Sequence, residues 1–238
     1  MNSITKRLIC DIISYIRLVV LGDYMTYENE YFIIHYTESD IGYIDQAIER
    51  INSKYIEYME FFGVSKLPKK VEYTLYNNIE EFRRDIKTKY GHIDDKTVGH
   101  ACGNLVEILT LNERRKVQSK IEITEETIIM TFAHELLHIF HAFYKGNNRS
   151  SWFAEGLAIN LGSPRYELGL IDCTPEDLIN RRGKSRHFYA IVKYMLENMS
   201  HEKILEYAKD DELVIRDTEN IYNLANEWIN SLNKSNNI

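Results

Sequence analysis

The chain has 238 residues, enough to bury a sizeable core in one large domain or two subdomains. Its 44% hydrophobic and 27% charged residues are ordinary for a globular protein, and 17 Tyr and 9 Phe exclude a disordered chain. A net charge of −7 argues against a nucleic-acid partner, whose footprint would be a basic patch. The basic runs at Lys69-Lys70, Arg83-Arg84, Arg114-Arg115-Lys116 and Arg181-Arg182 are interleaved with acids and read as solvated faces. Cys10, Cys102 and Cys173 are odd in number and far apart, which excludes a disulfide framework and points to a cytoplasmic, reducing compartment.

In chain order, Ile4, Leu8, Ile9, Ile12, Ile13, Ile16, Val19 and Val20 recur at helical spacing and predict an amphipathic helix over residues 1–27. Asp11 and Arg17 interrupt it, so no membrane association is expected; a secretory or membrane-surface segment is the lesser alternative. Residues 30–36 (EYFIIHY) read as a strand, and a long helix follows from Ile41 to Phe62, stopped by Gly63. Residues 71–76 (VEYTLY) alternate as a second strand, and Asn77 or Asn78 caps a short helix through Phe82. Residues 98–111 predict one or two strands, the last being Leu105 to Leu111. Everything after Thr124 reads as helical. Strands first and helices second imply an α+β fold, with a strand-rich half over 28–146 and a helical half over 147–233.

The chemistry concentrates in His134-Glu135-Leu136-Leu137-His138. Thr124 is the expected N-cap and Gly146 the expected stop of a helix of about twenty residues. Ile128, Phe132, Leu136, Ile139, Phe140 and Phe143 mark its packed side. Two histidines four apart project from one face about one turn apart, as two imidazoles must to share a metal. Glu135 is rotated by about 100°, so it flanks the metal and faces the place of an activated water. A catalytic zinc needs a third protein ligand and an open position. Residues 151–158 (SWFAEGLA) supply it as Glu155, on a helix capped by Ser150 or Ser151 after a turn at Gly146-Asn147-Asn148. Gly156, beside that ligand, is expected to let the two helices approach closely. One Zn²⁺ per chain is therefore expected, held by His134, His138 and Glu155.

The pairing of HELLH with WFAEGLA resembles the gluzincin zinc metallopeptidases, in particular the peptidase MA-like group. Phe32 to Tyr36, Val71 to Phe82, Gly99 to Leu111 and Asn226-Glu227-Trp228 are also similar to that family's pattern, so the resemblance covers roughly residues 28–233. It implies a zincin-like fold with an N-terminal mixed sheet, a C-terminal helical subdomain and an active-site cleft between them. It also implies hydrolysis of peptide or protein substrates, with Glu135 as general base and an edge strand near Asn104 to Thr110 pairing with substrate. There is no Gly-x-Met-Glu-Asn segment, since residues 103–107 read GNLVE, and only sixteen residues separate His138 from Glu155. Both departures favour an endopeptidase over an aminopeptidase. A silent zinc-binding module and a hydrolase of non-peptide amides are the alternatives. Tyr189, with His187 in reserve, is the expected donor to the oxyanion. His141 shares the metal face and is expected beside the metal rather than on it; His35, His92, His100 and His201 have no partner in sequence.

Overall fold

The computed structural model describes residues 24–91, 94–118, 122–146, 151–164 and 166–235. Residues 1–23 of the expected N-terminal helix, His92 and the turn at Asn147-Asn148 lie outside these, and the end of that expected helix is corrected, since Met25–Glu28 is a strand. The described residues form a mixed α and β structure of one five-stranded sheet and nine α-helices. Two compact units are distinguished, the first comprising residues up to Ser53 with Pro68–Phe132, the second Lys54–Leu67 with Ala133–Ile238. Among the described residues, no helix is long and apolar enough to cross a membrane.

The first unit is built on the sheet. Strands β1 (Met25–Glu28), β2 (Phe32–Tyr36), β3 (Val71–Tyr76), β4 (Gly99–Cys102) and β5 (Leu105–Leu109) lie in the order β1-β2-β3-β5-β4. The central three run parallel, and the two outer strands are antiparallel to their neighbours. Helix α1 (Ile41–Phe62) follows β2 and ends at Gly63, whose φ of 62° suits a residue without Cβ. Period-2 alternation sends Val71, Tyr73 and Leu75 to one face of β3, with Phe32, Ile34, Val106 and Ile108 also fully buried. Tyr76 and Leu109 turn to the other face, where they pack on Phe82 and Ile86 of α2 (Ile79–Tyr90). The Asn78 side chain caps α2 by accepting from the Glu80 and Glu81 amides, so the cap holds while the helix runs a further two turns.

Four sequence expectations change here. β1 was not foreseen. The last strand stops at Leu109, because the Thr110 carbonyl accepts from Arg114 N at 2.9 Å and opens α3 (Leu111–Val117). The predicted substrate-pairing edge is also corrected, since β5 is bonded to β3 on one side and β4 on the other. Gly103, at φ 68°, folds β4 back onto β5 and uses up its outer hydrogen-bonding groups. Nor is the basic run at residues 114–116 wholly solvated. Arg114 is buried, its Nε donating to Gln118 Oε1 at 2.9 Å and its Nη1 to Thr131 Oγ1 at 2.5 Å.

Beneath β5 the first unit buries an ion pair. Glu107 accepts from Lys89 Nζ at 2.6 Å and from the Tyr76 hydroxyl at 2.9 Å, with both charged side chains nearly inaccessible. Such a pair contributes little beyond an apolar replacement, yet removing one member strands a buried charge. Lys89→Ala is therefore expected to lose about 3–5 kcal/mol of unfolding free energy in urea, and the double substitution Lys89→Met with Glu107→Leu to recover most of it.

The second unit is helical. It holds the end of α1 and most of α4 (Glu125–Lys145), with α5 (Trp152–Gly162), α6 (Pro175–Ile179), α7 (Ser185–Asn198), α8 (His201–Lys209) and α9 (Asp211–Ser235). Helix α5 is apolar nearly all round, with Trp152, Phe153, Ala154, Leu157, Ala158 and Ile159 buried, so it forms the centre of the unit. Phe140 of α4 packs edge-on against Tyr55 and Tyr58 of α1, at 4.9 and 5.9 Å. Phe143, expected on the packed side, is 43% exposed.

Candidate metal centre

The site is carried by α4 and α5 within the second unit. Thr124 Oγ1 accepts from the Thr127 amide at 3.3 Å, and at the far end Gly146, at φ 79°, returns its N–H to Ala142 O. Both helix boundaries therefore fall where the capping residues place them. Between them the i, i+4 spacing brings His134 Nε2 and His138 Nε2 to 3.1 Å, with ring planes at 78°. Tetrahedral zinc with Zn–N of about 2.0–2.1 Å separates two nitrogens by about 3.3 Å, so the pair has the spacing a shared metal requires.

Ser151 caps α5 by accepting from the Ala154 amide at 3.2 Å, which sets Glu155 in the first turn. Its carboxylate faces both imidazoles, with Oε2 3.7 Å from His134 Nε2 and Oε1 3.7 Å from His138 Nε2. One donor atom from each of the three residues lies within 4.8 Å of the others. Two imidazoles and a carboxylate make a donor set suited to zinc, with a fourth position left for water or substrate. Glu135 is buried next to His134 on the same helix and stands outside this ligand group.

Two features hold the histidines in place. Ser163 is fully buried, with its Oγ 3.2 Å from His134 Nδ1. A metal on Nε2 would leave the proton on Nδ1, which would then donate to that hydroxyl. Burial lowers the pKa of His138, which keeps its ring neutral and its lone pair available.

The close approach of the helices rests on a different glycine from the one expected. A Cβ on Gly162 would stand 2.8 Å from His134 Cα and N, so this glycine lets the last turn of α5 lie on the histidine's own backbone. Gly156 faces the other way, where a Cβ would meet Phe188 O and Val192 Cγ2 of α7 at 2.5 Å. Neighbours on a helix point in different directions, and sequence adjacency to Glu155 did not show which side α4 occupies.

His141 is a packing residue. It is buried, its Nε2–H donates to Ala208 O at 2.7 Å, and its ring stacks on Phe62. His187 has both nitrogens engaged, Nδ1 accepting from the Lys184 amide at 3.2 Å and Nε2 meeting Asp172 at close range. Tyr189 is buried on α7, its ring 5.9 Å from that of Tyr166 and its carbonyl accepting from Asn160 Nδ2 at 3.0 Å. His35 pairs with Glu72 at 3.2 Å, while His100 and His201 lie against the rings of Tyr90 and Phe61.

Arg181, read from sequence as part of a solvated basic run, reaches the site. Its Nη2 lies 3.5 Å from Glu155 Oε1. Among the described residues it is also the one non-glycine with positive φ, at 56°. Arg181 N bonds to Leu178 O at 2.9 Å and Arg182 N to Asp177 O at 2.7 Å, the paired bonds of a Schellman ending to α6. Glycine is the usual occupant of that position, and a larger residue there costs on the order of 1–3 kcal/mol.

Comparison with protein-family models, with curated proteins and with solved structures finds no match to this chain.

Ser163→Ala is expected to weaken zinc affinity by about 10–100-fold, as loss of an outer partner of a ligating histidine does, while the circular dichroism spectrum stays unchanged. Competition against a chelator of known affinity measures it. A separate expectation concerns acid. Burial holds the His141 pKa down to about 4, below its ordinary value. The stability that the neutral ring contributes is therefore whole above about pH 6.5 and is lost as the pH falls toward 4. Urea unfolding in the presence of a chelator should show a loss of a few kcal/mol (order of magnitude) over that window, with a shallower slope in His141→Gln.

Proposed function

We propose that the chain is a zinc-dependent peptidase of the gluzincin type. The observation that carries this reading is the convergence of His134 Nε2, His138 Nε2 and both Glu155 oxygens, with Glu135 beside them and outside the ligand set. A purely structural zinc would need four protein ligands, whereas three leave a position for a reacting water.

His134, His138 and Glu155 would hold the ion. Zinc bound there would polarise a substrate carbonyl and bring the pKa of a bound water toward about 7. Glu135 accepts a proton from the attacking water and passes it to the nitrogen of the breaking amide bond. Ser163 keeps the His134 ring in the tautomer that presents Nε2 to the ion. The missing Gly-x-Met-Glu-Asn segment supports cleavage within a chain rather than removal of its first residue.

Protein prepared without added zinc is expected to carry about one equivalent, and His134→Ala almost none. Glu135→Gln should keep the metal and lose cleavage of a diverse peptide library by at least about a thousandfold. Wild-type protein loaded with zinc yet inert on that library would overturn the peptidase reading in favour of a silent binding module, or of a hydrolase for another amide. Full activity in Glu135→Gln would remove the base.

A further inference from the structure

We propose that Arg181 is a catalytic residue of this site, the cationic donor that holds the oxyanion formed when water adds to the substrate carbonyl. The proposal rests on the three-ligand metal reading above.

The Schellman ending of α6 puts residue 181 in the left-handed region at φ 56°, where any Cβ is disfavoured and glycine fits best. A long cationic side chain stands there instead. Its guanidinium reaches Glu155 Oε1 at 3.5 Å, and that oxygen is 3.7 Å from His138 Nε2. The group therefore lies within reach of whatever the three donors hold between them. At 3.5 Å the contact is an ion pair rather than a well-formed hydrogen bond. The side chain is half exposed, so its further N–H groups are accessible to an incoming ligand. A guanidinium offers five donors in a planar fork, suited to an anionic oxygen.

In the reaction the water oxygen bonds to the carbonyl carbon and the π pair moves onto the carbonyl oxygen. Arg181 donates to that oxygen while it bears the charge. When the C–N bond breaks, the pair returns to restore C=O, and the nitrogen leaves with the proton carried by Glu135. His187 is poorly free for this task, because the Lys184 amide and Asp172 engage both of its nitrogens. Tyr189, the donor expected from sequence, serves as the control.

The test uses the full chain loaded with Co²⁺, whose visible absorption reports ligands at the metal, titrated with inorganic phosphate as the anionic probe and imidazole as the neutral one. Arg181→Gly and Arg181→Asn remove the guanidinium with residues that accept left-handed φ, so melting temperatures should equal or exceed that of the wild type. Both should keep one equivalent of cobalt and bind imidazole as the wild type does, yet bind phosphate about 10–100-fold more weakly, the range for a lost charge-assisted hydrogen bond. Arg181→Lys should retain most of the phosphate affinity, and Tyr189→Phe should not change it. Equal phosphate affinity in the wild type and Arg181→Gly overturns the proposal, as does a loss seen in Tyr189→Phe instead. Loss of cobalt from both Arg181→Gly and Arg181→Asn would also overturn it, making Arg181 a positioning residue for Glu155. Failure of the wild type to take up cobalt would show before any phosphate is added, and would refute the metal reading itself.

Discussion

The proposed zinc site sets one constraint on the second unit: two imidazole nitrogens and a carboxylate must face a common point at bonding distance from a small ion. Helical geometry meets half of it, since residues four apart on α4 project together and His134 and His138 bring their Nε2 atoms to 3.1 Å. The other half needs a second backbone very close to the first. That approach is possible because Gly162 has no side chain to strike the His134 backbone. The same proximity lets buried Ser163 meet the His134 ring from behind. The proposed ligand, the packing contact and the hydroxyl beside His134 Nδ1 therefore come from a single helix and the residue after it.

Helix α5 can meet this requirement because it is buried on nearly every side. Its glycines serve two different neighbours, Gly156 the backbone of α7 and Gly162 that of α4. A helix clamped in this way has little freedom to rotate, which fixes the direction of Glu155. The interior is dense with aromatic rings, and its buried polar groups, such as His141 on Ala208 O, find hydrogen bonds. Such packing resists small shifts, and a site built from it is preorganised rather than assembled on binding.

Against this, residue 181 is locally unfavourable. A turn that would be eased by glycine carries arginine, and the strained residue is the one that touches Glu155, the proposed third ligand. Local sequence preference and tertiary structure conflict at this point, and such conflicts concentrate where function has been served at the expense of stability. In the first unit the buried Lys89–Glu107 pair is a second departure from an apolar interior, joined to tyrosine hydroxyls that satisfy the carboxylate.

By itself the sequence determined everything governed by short-range rules. Helical spacing put His134 and His138 on one face, Thr124 and Gly146 set the ends of α4, and Gly63 stopped α1. The caps of α5 and α2 were narrowed to Ser150 or Ser151 and Asn77 or Asn78, of which the structure uses Ser151 and Asn78. These features were legible because capping, periodicity and left-handed turns are decided within a few residues. Tertiary structure decided the rest. That Gly162 rather than Gly156 admits α4, that β5 is interior rather than an edge, that His141 packs and that Arg181 reaches Glu155 all depend on which distant segment lies alongside. Ser163 is legible to neither composition nor spacing, since a lone serine 29 residues from its partner has no sequence signature until the backbones meet. A contact between remote segments is set by the packing of the whole chain, and no local pattern encodes it.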